Sequence, residues 1–141
     1  IIKEQLENKN INIHNIPNVK ILPYIYDMEE MMQITDLVVC RSGAMTIAEI
    51  EISGKPAIFI PLPSHSANRQ EDNARILERA DAAKVILNKD LNAENLNNLI
   101  TELISDKYKL KEMGENAKKL AIYDVEDKIY NELKEYIEKV Q

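Results

Sequence analysis

One short run in this sequence has the residue types and order that suit an anion: Ser42-Gly43-Ala44-Met45-Thr46, small side chains at the start of a helical pattern. A helix N-terminus offers unpaired N–H groups and the positive end of the macrodipole, and a glycine there lets a ligand come close to the backbone. A phosphate is the ligand this combination predicts. Glu49 follows Thr46 by three residues and shares its face of the helix. Its carboxylate is placed to accept hydrogen bonds from the paired hydroxyls of a sugar. The same four residues, Thr46-Ile47-Ala48-Glu49, also match a capping box, in which the two side chains only close the helix end. Spacing leaves both readings open.

A second candidate is the polar stretch Pro61-Leu62-Pro63-Ser64-His65-Ser66-Ala67-Asn68-Arg69-Gln70. It is long for a connection between a strand and a helix, and length of that kind points to function. Its prolines stiffen the strand exit, while His65, Asn68, Arg69 and Gln70 supply hydrogen-bonding groups. Gln70 is the strongest ligand candidate among them; a lone His65 is more often structural than catalytic. Other features point away from chemistry. Met28, Met31 and Met32, with Ile34, form the kind of cluster that faces a core or a partner. Cys40 has neither a basic cluster nor a second cysteine near it in sequence and reads as an inert thiol, and neither histidine has the companions of a metal site. Glu29-Glu30 reads as a solvated helix face.

The elements that must position these residues are strands alternating with helices, the pattern of a parallel sheet covered by helices. Val19–Leu22, Leu37–Cys40, Ala57–Ile60 and Lys84–Leu87 are rich in Val, Ile and Leu, as strands buried on both faces should be. Helices are predicted over Asp27 to Thr35, Ala44 to Ser53 and Ala67 to Ala80, with Gly54-Lys55-Pro56 stopping the second. Ligands of such sheets bind beyond the carboxyl ends of the strands. That selects Pro23-Tyr24-Ile25-Tyr26-Asp27, Arg41-Ser42-Gly43-Ala44 and the Pro61 to Gln70 loop, all facing one crevice. After the last strand the pattern is helical only. Leu96, Leu99, Ile100, Leu103 and Ile104 make one apolar stripe and Val125, Ile129, Leu133, Tyr136, Ile137 and Val140 another, each wanting a surface to pack on. Asn92 and Asp124 are the expected N-caps, and Gly114 interrupts the pattern between them. The stretch from Asn8 to Asn18 reads as a loop, and Ile1-Ile2-Lys3-Glu4-Gln5-Leu6 as a helix already under way.

With 141 residues and 45% hydrophobic content the chain can bury one proper core. A net charge of -6, from 24 acidic and 18 basic residues, argues against nucleic acid as a partner. The single cysteine excludes an internal disulfide. The sequence shows no secretory leader pattern and no apolar run near the ~20 residues needed to cross a bilayer, so it reads as a soluble chain with at most peripheral membrane contact.

Cys40-Arg41-Ser42-Gly43-Ala44-Met45-Thr46-Ile47-Ala48-Glu49-Ile50, then Gly54-Lys55-Pro56-Ala57-Ile58-Phe59-Ile60-Pro61, then Asn68-Arg69-Gln70-Glu71-Asp72-Asn73-Ala74 closely resemble the C-terminal domain of the MurG family, the N-acetylglucosaminyltransferases of glycosyltransferase family 28. The resemblance implies a Rossmann-like half of a GT-B fold: one partial domain over residues 1–141, with βα units over 1–90 and C-terminal helices over 91–141. It implies an inverting hexosyltransferase that converts lipid I to lipid II in peptidoglycan synthesis, working peripherally on the cytoplasmic side of the bacterial membrane. The C-terminal half of such an enzyme holds UDP-N-acetylglucosamine, and the N-terminal half holds the lipid acceptor.

By resemblance the Ile25 backbone pairs with the uracil edge, with Tyr24 as a hydrophobic neighbour, and Glu49 binds the ribose hydroxyls. The N–H groups of Met45 and Thr46, with the Thr46 hydroxyl, take the diphosphate, while Ala44 and Gln70 address the N-acetylglucosamine hydroxyls. Arg41, Ser42, Gly43, His65 and Asn73 are weaker candidates within the same motifs. No catalytic residue, cofactor or metal ligand is implied in this chain. The family's opening glycine-rich loop and its N-terminal domain have no counterpart in the sequence, so the expectation is donor binding without turnover. Two other readings are a stand-alone nucleotide-sugar-binding module and part of a UDP-N-acetylglucosamine 2-epimerase-type enzyme. If the strand order is that of the Rossmann fold, Val19–Leu22 does not lie beside Leu37–Cys40. An exposed sheet edge then invites pairing with a second copy, a homodimer that a strict monomer in sedimentation would rule out.

Overall fold

The computed structural model describes residues 4–140 apart from 5, 7, 13–15 and 64–68. Its elements are α1 (Met28–Ile34), β1 (Val38–Cys40), α2 (Ala44–Ser53), β2 (Ala57–Phe59), α3 (Arg69–Arg79), β3 (Ala83–Val85), α4 (Ala93–Ser105), α5 (Lys107–Leu120) and α6 (Val125–Val140). The strands form a parallel sheet in the order β1-β2-β3, with Val38 opposite Ala57 and Ala57 opposite Ala83. The α/β class expected from the sequence is the one observed.

The central strand explains why the sheet is covered on both faces. Side chains alternate along a strand. Ala57 and Phe59 therefore enter one apolar cluster, with Ile50 of α2 and Ala74 and Leu77 of α3, while Ile58 enters another, with Ile86, Leu103 of α4, and Leu110 and Met113 of α5. Phe59, Ile58, Leu77 and Leu103 are fully buried. Each such side chain contributes about 1.5–3 kcal/mol relative to exposure. α5 serves both layers: Ala117 and Leu120 reach the first cluster, while Leu110 and Met113 serve the second.

Helix limits follow local chemistry. Asp27 caps α1 by accepting the Glu30 N–H, and Asn92 caps α4 by accepting the Asn95 N–H, each at 2.8 Å. Asp124 precedes α6, and its carbonyl accepts from the Lys128 N–H. Gly54 ends α2 in the left-handed region, at φ 63°, with its N–H returned to the Ile50 and Glu51 carbonyls. Glycine holds that conformation without the penalty a Cβ brings.

Four expectations need correction or limits. Gly114 does not interrupt anything: it lies buried inside α5, where a Cβ would be driven into the Gly54 carbonyl oxygen. Its lack of a side chain is what lets α5 sit on the end of α2. Val19–Leu22 is not a strand, and Val19, Ile21 and Leu22 are exposed. A β-branched run expresses a preference that a neighbouring ladder must complete, and no described strand lies beside this one. The stripe on α6 has no partner either, since none of its described side chains is buried. Of the helix expected over Ala67 to Ala80, residues 69–79 are helical, while 67 and 68 lie outside the described residues. In the opening segment Glu4, Leu6 and Asn8 are helical, and Asn10 and Asn18 adopt positive φ within the expected loop.

Candidate functional site

The start of α2 removes the capping-box reading of Thr46 and Glu49. Gly43, not Thr46, is the N-cap, and it makes no side-chain capping bond. The first intrahelical bond runs from the Ile47 N–H to the Gly43 carbonyl. Thr46 thus lies inside the first turn with Glu49 one turn further on, and a capping box, which needs Thr46 at the cap, is absent. The N–H groups of Ala44, Met45 and Thr46 precede the intrahelical ladder. Ala44 is exposed, Met45 is 77% exposed and Thr46 is half-buried, so the turn faces solvent. Nothing lies within 4 Å of where a Gly43 Cβ would stand. Its φ of -65° is open to any residue, so neither packing nor backbone conformation demands glycine there.

A polar network fixes this turn to the other strand ends. Ser42 is fully buried and its hydroxyl donates to the Gln70 carbonyl at 2.7 Å. The Asn73 side-chain amide donates to the Ser42 carbonyl at 3.3 Å. Gln70 Oε1 accepts from the Leu62 N–H at 3.0 Å, which ties the exit of β2 to the first turn of α3. Arg41 Nη1 spans further, reaching the Ile60 and Pro61 carbonyls at 2.9 and 3.2 Å and Asn88 Oδ1 at 3.1 Å. One arginine therefore bridges the carboxyl ends of all three strands.

Glu49 lies on the α1 side of α2, is exposed, and lines a groove of about 740 Å³ with Met28, Met32 and Ile52. That volume is within the range of small-molecule sites. Its carboxylate is close enough to act on Cys40: burial first, and the Glu49 charge second, push that thiol up to about 11. A thiol held so firmly in its protonated form is a poor nucleophile, which agrees with the inert reading. Ile25 is half-buried on the segment leading into α1, between the exposed Tyr24 and Tyr26.

The profile described as the glycosyltransferase family 28 C-terminal domain matches residues 2–129. The chain belongs to that family. Among its relatives is the UDP-N-acetylglucosamine–N-acetylmuramyl-(pentapeptide) pyrophosphoryl-undecaprenol N-acetylglucosamine transferase of Acetivibrio thermocellus, 46% identical over 127 residues, covering 90% of this chain and 34% of that protein. The enzyme of the same name from Desulfitobacterium hafniense is 48% identical over 112 residues, covering 79% of this chain and 30% of that protein. The crystal structure of Acinetobacter baumannii MurG superimposes with a TM-score of 0.82 at 29% identity, covering 94% of this chain and 39% of the other. The chain thus spans about a third of the length of these curated relatives.

Within this family 28 domain the expected site residues fall into three groups. Ala44, Met45, Thr46 and Glu49 are presented on one helix at the surface. Gln70 and Asn73 are joined by hydrogen bonds to Ser42, just before that helix, while Arg41 bonds to the Ile60 and Pro61 carbonyls and to Asn88. The Ser42 side chain has no exposed surface, and its hydroxyl bonds to the Gln70 carbonyl as a strut toward α3. Ile25 and Tyr24 lie on the segment leading into α1 and take no part in that network. His65 lies outside the described residues. Sequence reasoning missed Asn88, the acceptor at the far end of the Arg41 bridge. Its signal was available, because it lies three residues beyond the end of the third parallel strand and so belongs to the same edge of the sheet.

Proposed function

We propose that this domain holds the UDP-N-acetylglucosamine donor for an N-acetylglucosaminyltransferase acting on the lipid-linked muramyl-pentapeptide acceptor at the cytoplasmic face of the membrane. The site for the acceptor belongs to the part of such an enzyme that this chain does not match. The names of the relatives and the exposed, uncapped start of α2 with Glu49 behind it support the reading. The Ile25 backbone pairs with the uracil edge and Glu49 accepts from the ribose hydroxyls. The Met45 and Thr46 N–H groups, with the Thr46 hydroxyl, hold the diphosphate, and Ala44 and Gln70 address the sugar.

The chemistry then needs little from this half. In an inverting displacement the acceptor hydroxyl attacks the anomeric carbon, the bond to the β-phosphate oxygen breaks, and negative charge grows on UDP. Preorganised N–H groups at a helix N-terminus stabilise that charge as it develops. They would also bind the ground state, so the reaction gains only from the part of the interaction that strengthens during bond breaking. The Arg41 bridge and the Ser42 strut keep those donors in place without touching the ligand.

Of these contacts, the Glu49 pair with the ribose is the most exposed to test. A hydrogen bond to a charged group is worth about 1.5–3 kcal/mol, so Glu49→Ala should weaken UDP-N-acetylglucosamine binding on the order of 10- to 100-fold in calorimetry. Equal affinity in the two proteins would remove the ribose assignment. No binding by the unmodified chain at millimolar donor would remove the donor reading for this domain.

A further inference from the structure

We infer that the cleft between α5 and the end of α2 is a second ligand site, which takes a small organic phosphate: the phosphate between Lys107 and Lys111, the apolar part on the floor beside them. This site is separate from the donor-suited turn. It lies at the opposite end of the sheet, since Asp36 and Pro56, which border it, precede β1 and β2, whereas the turn at Gly43 follows β1. The cleft has a volume of about 470 Å³, within the range of small-molecule sites.

Charge marks the cleft. Lys55, Lys107, Lys111 and Lys118 line it against only two carboxylates, Asp36 and Glu115, in a chain that carries 18 basic and 24 acidic residues overall. Lys107, Lys111 and Lys118 are spaced by four and seven residues, which puts them on one face of α5. Their surroundings do little to neutralise them. Lys55 donates to the Gln33 carbonyl at 3.2 Å, and Lys111 meets Glu115 only at 3.8 Å, with both side chains well exposed, a pair worth little. Among the described residues, no carboxylate pairs with Lys107 or Lys118. Lys109, on another side of the same helix, does have its partner, Glu102 at 3.1 Å.

The arrangement works against the helix that carries it. Lysines at i and i+4 repel, and Lys107 is the first residue of α5, where the macrodipole disfavours a cation and the first turn holds no acidic residue to offset it. A phosphate seated between Lys107 and Lys111 turns that repulsion into two attractions. Beside the lysines the surface is apolar. Pro56 and Leu110 are buried and Ile104 is half-exposed, with Leu110 lying between the two lysines on their own face of the helix. Lys118 closes the far end. Its stem lies across Gly54, where an added Cβ would collide with it, so the chain is held at the cleft rather than swinging free. An apolar floor under a cationic rim covers both halves of a phosphate ester.

The experiment is an NMR titration of the whole chain with phenyl phosphate and with inorganic phosphate at physiological ionic strength, followed at the backbone amides. Phenyl phosphate is expected to shift the Gly54, Leu110 and Gly114 amides and to bind roughly 10-fold more tightly than inorganic phosphate. In Lys107→Gln/Lys111→Gln its affinity should fall about 10-fold. Both lysines are exposed, so the fold should survive their loss, and circular dichroism checks it. The control, Lys128→Gln/Lys134→Gln, removes the same charge from exposed positions of α6 and should leave the affinity unchanged. Equal losses in the two double variants overturn the site, because net charge alone would then be the attraction. Equal affinity for the two phosphates overturns the organic part of the assignment. Shifts confined to Gly43, Ala44 and Met45 overturn the cleft while supporting the donor-suited turn, and no shift at the cleft up to about 10 mM phenyl phosphate overturns it outright.

Discussion

α4 and α6 carry apolar stripes of the same kind, yet they meet opposite fates. Leu103 of α4 is fully buried, and Leu96, Leu99 and Ile100 pack around it against Ile58 and Ile86 of the sheet. On α6, Val125, Ile129, Leu133 and Ile137 are all exposed, together with Tyr130 and Tyr136. A stripe at helical period says that a helix wants a surface; it does not say that its own chain supplies one. Val19–Leu22 teaches the same lesson for strands. Ala57–Phe59 and Val19–Leu22 have similar compositions, but only the first has ladders on both sides, and only the first is a strand.

That contrast can be broken by substitution, and the largest effect belongs to the buried stripe. Leu103→Ala removes a side chain with no exposed surface and should lower unfolding free energy by about 2–5 kcal/mol in urea melts. A loss below 1 kcal/mol would mean that the second cluster is far looser than its burial indicates. Gly114→Ala comes next and tests the sign of a local rule. Helix propensity alone would favour alanine by about 1 kcal/mol. The added Cβ has no room against the Gly54 carbonyl, so a net destabilisation of about 1–3 kcal/mol is expected, visible as a lower Tm. A more stable variant would show that α5 and the end of α2 are not in close contact. The smallest effect is assigned to Leu133→Ala on α6, which should stay within about 0.5 kcal/mol of the parent because the side chain is exposed. If it costs as much as Leu103→Ala, α6 has a partner surface in solution.

Much of the site was legible from residue order because it depends on short-range geometry. The end of α2 was readable from Gly54, whose role is set within a few residues. The placement of Glu49 on the face of Thr46 is likewise a matter of helical spacing. What could not be read was which side chains would be held as struts. Ser42 and Asn73 lie 31 residues apart in the chain, and Arg41 and Asn88 lie 47 apart. Nothing local distinguishes a polar residue aimed at a ligand from one aimed at a carbonyl on the next strand. The capping-box reading of Thr46 and Glu49 had the same origin, and it was removed by where α2 begins rather than by which residues it contains.

Residue order alone determined the parallel α/β class, the glycine stop of α2, and the placement of Glu49 one turn behind Thr46, because periodicity, capping and glycine act over distances of one or two turns. Tertiary structure alone decided which apolar stripe is covered, why Gly114 must lack a side chain, and how Arg41 gathers three strand ends into one edge. Those outcomes depend on what lies on the other side of a contact, and the partner is brought there by the fold of the chain as a whole.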